Sequence, residues 1–128
     1  MISLCLTSGA ISAALVIQSF TLAWMHSVEK VRWEEDWRIE SRQLQIVEAR
    51  IKGSGAGMEP PEGAVLLDGA WHYRPAVAPM ERLILAHSPY TTGYELCFQG
   101  DCQPLTHFLP GIEETGTIIL APCPGASG

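Results

Sequence analysis

Apolar and polar residues alternate one by one near the start of the chain. Ile2, Leu4 and Leu6 alternate with Ser3, Cys5 and Thr7, a Ser8-Gly9 turn follows, and alternation resumes through Phe20, Leu22 and Trp24. A period of two sends successive side chains to opposite faces of a strand, so one face is built to be buried. From residue 13 to 121, short apolar stretches are separated by Gly and Pro, the rhythm of an antiparallel all-β domain. The pattern predicts strands at 2–7, 15–26, 31–39, 43–52, 64–67, 70–74, 82–87, 93–98, 102–108 and 117–121. Asp68-Gly69 marks a hairpin, because both central residues of that turn need positive φ. Pro75, Pro79 and Pro89 interrupt the second half, and Pro122-Cys123-Pro124-Gly125-Ala126-Ser127-Gly128 reads as an irregular tail. The expectation is one all-β domain over residues 1–121, an antiparallel two-sheet sandwich or partly open barrel, with a tail at 122–128. Its expected core is Leu4, Leu6, Phe20, Leu22, Trp24, Trp33, Trp37, Leu83, Leu85 and Leu96.

Residues 31–52 fit two templates. Trp33, Trp37, Leu44, Val47 and Ile51 fall near helical spacing, among Glu, Arg and Gln, which are good helix formers. Val31, Trp33, Trp37 and Ile39 equally occupy one face of a strand, with Glu34, Asp36, Arg38 and Glu40 on the other. If 15–26 and 31–39 pair as a hairpin, the apolar face takes even numbers on the first strand and odd numbers on the second. His26 and Glu35 then share a side rich in tryptophan. Pairing Trp24 with Trp33 sets Glu35 opposite Leu22, and pairing His26 with Trp33 sets Glu35 opposite Trp24. A carboxylate on such a face must find donors or take up a proton. It is then either a structural Glu held by backbone or indole hydrogen bonds, or a ligand-orienting or acid–base group working with His26. Ser27 adds a hydroxyl, but neighbours on a strand point to opposite faces, so a Ser27–His26 nucleophilic pair is geometrically poor.

A length of 128 residues suits one domain. The formal charge of −6 opposes binding to a phosphate polyanion, so nucleic acid is not an expected partner. Residues 2–25 carry no Asp, Glu, Lys or Arg, but Thr7, Ser8, Gly9, Ser12, Gln18, Ser19 and Thr21 break the run. It fits neither a secretory leader, which needs a basic start, nor a spanning helix. Four cysteines allow three complete pairings. Cys97 and Cys102 flank Phe98-Gln99-Gly100-Asp101, read as a four-residue hairpin loop that sets the two side chains face to face for a disulfide. The alternatives are small core hydrophobes or free thiols. Zinc held by Cys97, Cys102 and His107 lacks a second Cys pair nearby, and no metal or other cofactor is expected. A disulfide would imply an oxidising compartment, against the missing leader, which leaves the localisation open.

Gly53-Ser54-Gly55-Ala56-Gly57-Met58-Glu59-Pro60-Pro61 is a loop with special backbone demands. No Gly-Lys-Ser/Thr follows, which argues against a phosphate loop. Trp71, His72, Tyr73 and Arg74 form either an aromatic contact surface or ordinary strand composition, and His87 and Tyr90 flank a Ser88-Pro89 turn.

The run Phe20-Thr21-Leu22-Ala23-Trp24-Met25-His26-Ser27-Val28-Glu29-Lys30, then Trp33-Glu34-Glu35-Asp36-Trp37, then Gly53-Ser54-Gly55-Ala56-Gly57-Met58, resembles the small bacterial family catalogued as domain of unknown function 1850. The likeness spans roughly residues 4–109 and is strongest over 20–61. It favours strands over helix for 31–52, and His26, Ser27, Glu35, Gly55 and Gly57 match the family pattern. Members tend to be encoded beside tripartite transporters of the TRAP type, in the branch whose solute receptor is called TAXI. The resemblance therefore implies a non-enzymatic accessory or regulatory binding module. Its implied partner is the TRAP transporter membrane subunit or its solute receptor, with membrane contact only through that protein. The expected contact region is residues 26–35 plus the loop 53–61. The alternative is a small-molecule or ion sensor with a pocket at His26 and Glu35, and an enzyme using those two groups ranks behind both.

Overall fold

Most of the stretches of alternation form strands, and those at the centre of each sheet turn their apolar side to the second sheet. The computed structural model describes residues 2–25, 31–52, 61–90 and 93–124. Its elements in chain order are β1 (Ile2–Ser8), β2 (Ile11–Leu15), β3 (Ser19–Met25), β4 (Arg32–Glu40), β5 (Gln43–Lys52), β6 (Val65–Leu67) and β7 (Ala70–Tyr73). They continue with β8 (Leu83–His87), β9 (Glu95–Phe98), β10 (Asp101–Pro104), the single turn α1 (Leu105–Phe108) and β11 (Gly116–Pro124). A four-stranded sheet has the order β2-β1-β11-β8 and a seven-stranded sheet the order β10-β9-β3-β4-β5-β7-β6. Every named strand pair is antiparallel. The architecture is an all-β sandwich of two sheets rather than a closed barrel.

The uncharged N-terminal stretch is thus three strands. Among the described residues no helix is long and apolar enough to cross a membrane. Residues 31–52 are extended, and the helical alternative does not occur there. Tight hairpins join the pairs. Ser41-Arg42, Asp68-Gly69 and Gln99-Gly100 each connect paired strands as two-residue turns with both φ values positive. Such turns carry the twist of the flanking strands. The Gln99-Gly100 turn corrects the expected four-residue loop, since Phe98 and Asp101 are themselves a ladder pair.

Three expectations are revised. The strand expected over 15–26 is shorter, β3 at Ser19–Met25, and Leu15 instead ends β2, a strand of the other sheet that the alternation did not predict. The chain changes sheet at residues 16–18, where Ile17 enters the core and Ile39 N–H donates to Gln18 O at 2.8 Å. The strand expected over 102–108 ends at Pro104, and α1 then buries Leu105, whose N–H donates to Tyr94 O at 3.1 Å. Of the tail expected at 122–128, residues 122–124 belong to β11, with Ile2 opposite Pro124 and Ser3 opposite Cys123, and the rest lie outside the described residues.

Leu4, Leu6, Leu85, Ile118 and Leu120 of the small sheet pack with Phe20, Leu22, Trp37, Ile39, Leu44, Ile46 and Leu96 of the large one. Leu105 and Leu109 help close the core. Of the expected core, Trp24, Trp33 and Leu83 are half-buried rather than enclosed. Cys5 and Cys123 form a disulfide between β1 and β11, and Cys97 and Cys102 form one between β9 and β10.

Candidate functional site

The β3–β4 register is Trp24 opposite Trp33 and Leu22 opposite Glu35. Of the two registers the alternation allows, this is the one that leaves residues 26–30 between the strands. Glu35 therefore points to the same side as Phe20, Leu22, Trp24, Trp33 and Trp37. Across the sheet, one row of that face reads Leu96, Leu22, Glu35, Ala49, Tyr73. The next reads Trp24, Trp33, Ile51, Trp71, Leu66. The Trp24 and Trp33 rings stack with centroids 6.1 Å apart and 22° between planes, and Tyr94 lies against Trp24 at 5.6 Å. Glu35 is thus a carboxyl on an aromatic face, with Trp37, Tyr73 and Tyr94 in its reach.

Burial pushes the Glu35 carboxyl above the usual range, and the indole N–H of Trp37, donating to Oε1 at 3.2 Å, only partly offsets this. Tyr73 and Tyr94 are both raised, by burial first and then by the negative charge of Glu35. This end of the face is also partly open. Leu66 of the edge strand β6, opposite Trp71, is 53% exposed.

The opposite face of the same sheet carries a different chemistry. Arg50 grips Asp36 with two nitrogens at 2.6 and 2.8 Å and donates through Nε to Glu34 at 3.0 Å. Arg32 donates to Glu34 at 2.8 Å and to Glu95 at 2.7 Å, and Thr21 Oγ1 donates to Asp36 at 2.7 Å. Glu48 receives Arg50 at 3.3 Å and lies 2.7 Å from His72 Nδ1. Burial raises Glu34 and Asp36, but the guanidinium hydrogen bonds outweigh it and hold both below the usual carboxylate range. Arg50 is raised, chiefly by its hydrogen bonds to Asp36. The ladder depends on a β-bulge. Trp37 faces Ile46 while Asp36 faces Glu48, so Val47 is the inserted residue and Glu48 and Arg50 stay on the charged side. An open groove of about 750 Å³ runs over this face, with Thr21, Asp36 and Arg50 in its floor and the Cys97–Cys102 hairpin as a wall.

Of the residues singled out in the sequence, Glu35 alone of the His26, Ser27, Glu35, Gly55 and Gly57 set lies within the described residues. The neighbours of the other four can be placed. Met25 pairs with Arg32, Trp33 with Ile51, and Lys52 with Ala70, so the described residues next to 26–30 and 53–60 lie at the Trp24–Trp33–Trp71 end of the sheet, while His26, Ser27, Gly55 and Gly57 lie outside the described residues. Cys97 and Cys102 are directly opposite and bonded to each other, which removes the two thiolates weighed for zinc with His107. His72 belongs to the charged face, whereas Trp71 and Tyr73 belong to the aromatic one. Tyr90 is 91% exposed, with its N–H donating to Ser88 Oγ at 3.2 Å. The charged ladder went unread in the sequence. Alternation put Glu34 and Asp36 on a polar face, but linking them to Arg50 required the bulge, for which Val47 gives no local signal.

A family model described as Domain of unknown function (DUF1850) matches residues 20–105. That segment holds all of the seven-stranded sheet except Ser19, plus β8, and so both faces described above. No curated protein and no solved structure matches the chain.

Proposed function

Because the chain belongs to the DUF1850 family, we propose that it is an accessory binding module of a TRAP-type (TAXI) solute transporter, acting by recognition rather than chemistry. Its partner is the transporter's membrane subunit or its solute receptor. The link to the transporter rests on the resemblance, whose members tend to be encoded beside such systems. The observation that carries the recognition reading is the row Trp24, Trp33, Ile51, Trp71, Leu66 at one end of the large sheet. Half-buried indoles beside an exposed apolar edge supply large rigid contact area at small entropic cost, the composition of interface anchors. Glu35 behind them supplies one polar determinant. The charged face suits a scaffold instead, because its cations are already committed to its own carboxylates.

The test is co-purification of the tagged chain with each transporter subunit, followed by titration of the purified pair. Binding is expected to one subunit and to weaken about tenfold or more in Leu66→Glu and Trp24→Ala, with the far-UV spectrum unchanged. Binding that survives both substitutions, or absence of binding to every subunit, contradicts the proposal. A second reading, a small-molecule or ion sensor at Glu35, is favoured by the raised carboxyl, which accepts from the Trp37 indole among the described residues. Calorimetry with candidate solutes separates the two, since a sensor loses solute affinity in Glu35→Gln while the binding module gives no heat with solute.

A further inference from the structure

The two disulfides have different surroundings. Cys5–Cys123 spans 118 positions and ties β1 to β11, the two inner strands of the small sheet. Cys97–Cys102 spans 5 positions, joins directly opposite residues of one hairpin, and lies where β10 forms the edge of the large sheet. The sulfurs of the second bridge are unequal. Cys102 is exposed, whereas Cys97 is half-buried opposite Thr21, with Arg32 Nη2 4.0 Å from its Sγ. Arg32 is fixed there by its hydrogen bonds to Glu34 and Glu95, so the guanidinium faces the sulfur in a set position.

That asymmetry gives the bridge a direction. Exchange is fastest when the attacked sulfur is accessible and the departing thiol is the more acidic. A neighbouring guanidinium favours the thiolate form. We infer that Cys97–Cys102 is a thiol–disulfide exchange site for an external dithiol, with Cys102 the sulfur attacked and Cys97 the sulfur released. The incoming thiolate forms an S–S bond to Cys102 Sγ as the Cys97–Cys102 bond breaks, and Cys97 leaves with the electron pair beside Arg32. The second thiol of the reductant then attacks its own sulfur in the mixed disulfide and releases Cys102. The dithiol is oxidised to its disulfide, the cystine is reduced to two thiols, and the two protons lost by the dithiol pass to the cysteine pair. Glu95 on the same strand is engaged by Arg32, and Asp101 beside Cys102 accepts from Gln103 at 3.4 Å. Opening the bridge releases one wall of the groove over Thr21 and Asp36 while the β9–β10 ladder remains.

The experiment treats the folded full chain with graded dithiothreitol, alkylates the free thiols and maps them by peptide mass. A parallel sample uses glutathione with an acid quench. Cys97 and Cys102 are expected to be labelled about tenfold faster than Cys5 and Cys123, and the trapped glutathione adduct to sit on Cys102. Arg32→Gln is expected to slow opening about threefold and Arg32→Lys to restore most of the rate, each with native near-UV signal. Simultaneous opening of both bridges, an adduct on Cys97, or equal rates in the wild type and both Arg32 variants overturns the inference. Loss of fold in Arg32→Gln leaves the adduct position and the relative labelling rates in the unaltered protein to decide it.

Discussion

Glu34 and Glu35 are neighbours in sequence and opposites in setting. Glu34 lies on the charged face at 9% exposure, ringed by Arg32, Arg50 and Lys52, while Glu35 faces the aromatic side with one indole donor. Their shifts run in opposite directions, so pH acts on them with opposite signs. The depressed Glu34 and Asp36 stabilise the fold above their unfolded values, about 4, and that contribution is lost as pH falls through their lower folded values. The raised Glu35 does the reverse. Protonated in both states at low pH it is neutral in effect, and its ionisation costs stability once pH rises through its elevated folded value. Glu35→Gln is therefore expected to raise the melting temperature at pH 7, with the gain vanishing below about pH 4. An unchanged or lowered melting temperature at pH 7 would mean that the carboxylate has donors beyond the Trp37 indole. Arg50→Gln removes the partner of Asp36, Glu34 and Glu48 together and is expected to destabilise by about 2 kcal/mol in urea titration at pH 7. That figure lies below the range for fully buried pairs because the Asp36 and Glu48 side chains are 33% and 37% exposed. The alternation around Trp33 and Trp37 made the position of Glu35 readable in the sequence, because one register condition was enough. Arg50 was not readable, because its place depends on an inserted residue with no distinctive side chain.

At the scale of elements, turns and bridges set the order of stability. Asp68-Gly69 was legible because few dipeptides accept two positive φ values, whereas Ser41-Arg42 adopts the same geometry, at 51° and 62°, without that sequence signature. The boundary between β2 and β3 was hidden because Val16 and Ile17 continue an apolar run although they belong to the passage between sheets. Val16 is 60% exposed and Ile17 7%. The Cys5–Cys123 pairing was equally hidden, since it depends on the first and last strands lying side by side. Chain-entropy reasoning ranks the two bridges. Closing 118 positions stabilises by about 4 to 5 kcal/mol and closing 5 by about 2 kcal/mol. Replacing Cys5 and Cys123 with alanine is accordingly expected to lower stability about twice as much as replacing Cys97 and Cys102, read by denaturant midpoint at constant slope. Equal losses would mean that the ends of the chain are held by the β1–β11 ladder alone.

Over the whole molecule, the sandwich presents one large sheet with two unlike faces, and the family-matched segment carries all of that sheet but Ser19. One face pairs its charges internally, with Arg32, Arg50 and Lys52 against Glu34, Asp36, Glu48 and Glu95. The other covers a core at one end and leaves tryptophans half-buried at the other, where the exposed apolar β6 closes the row. The central claim is that this aromatic end is the recognition surface. Hydrogen–deuterium exchange of the chain with and without the purified transporter subunit that captures it tests the claim most directly. The account predicts new protection in peptides covering Trp24, Trp33, Leu66 and Trp71. Protection confined to the Arg50 face, or an unchanged exchange pattern at saturating partner, would contradict it.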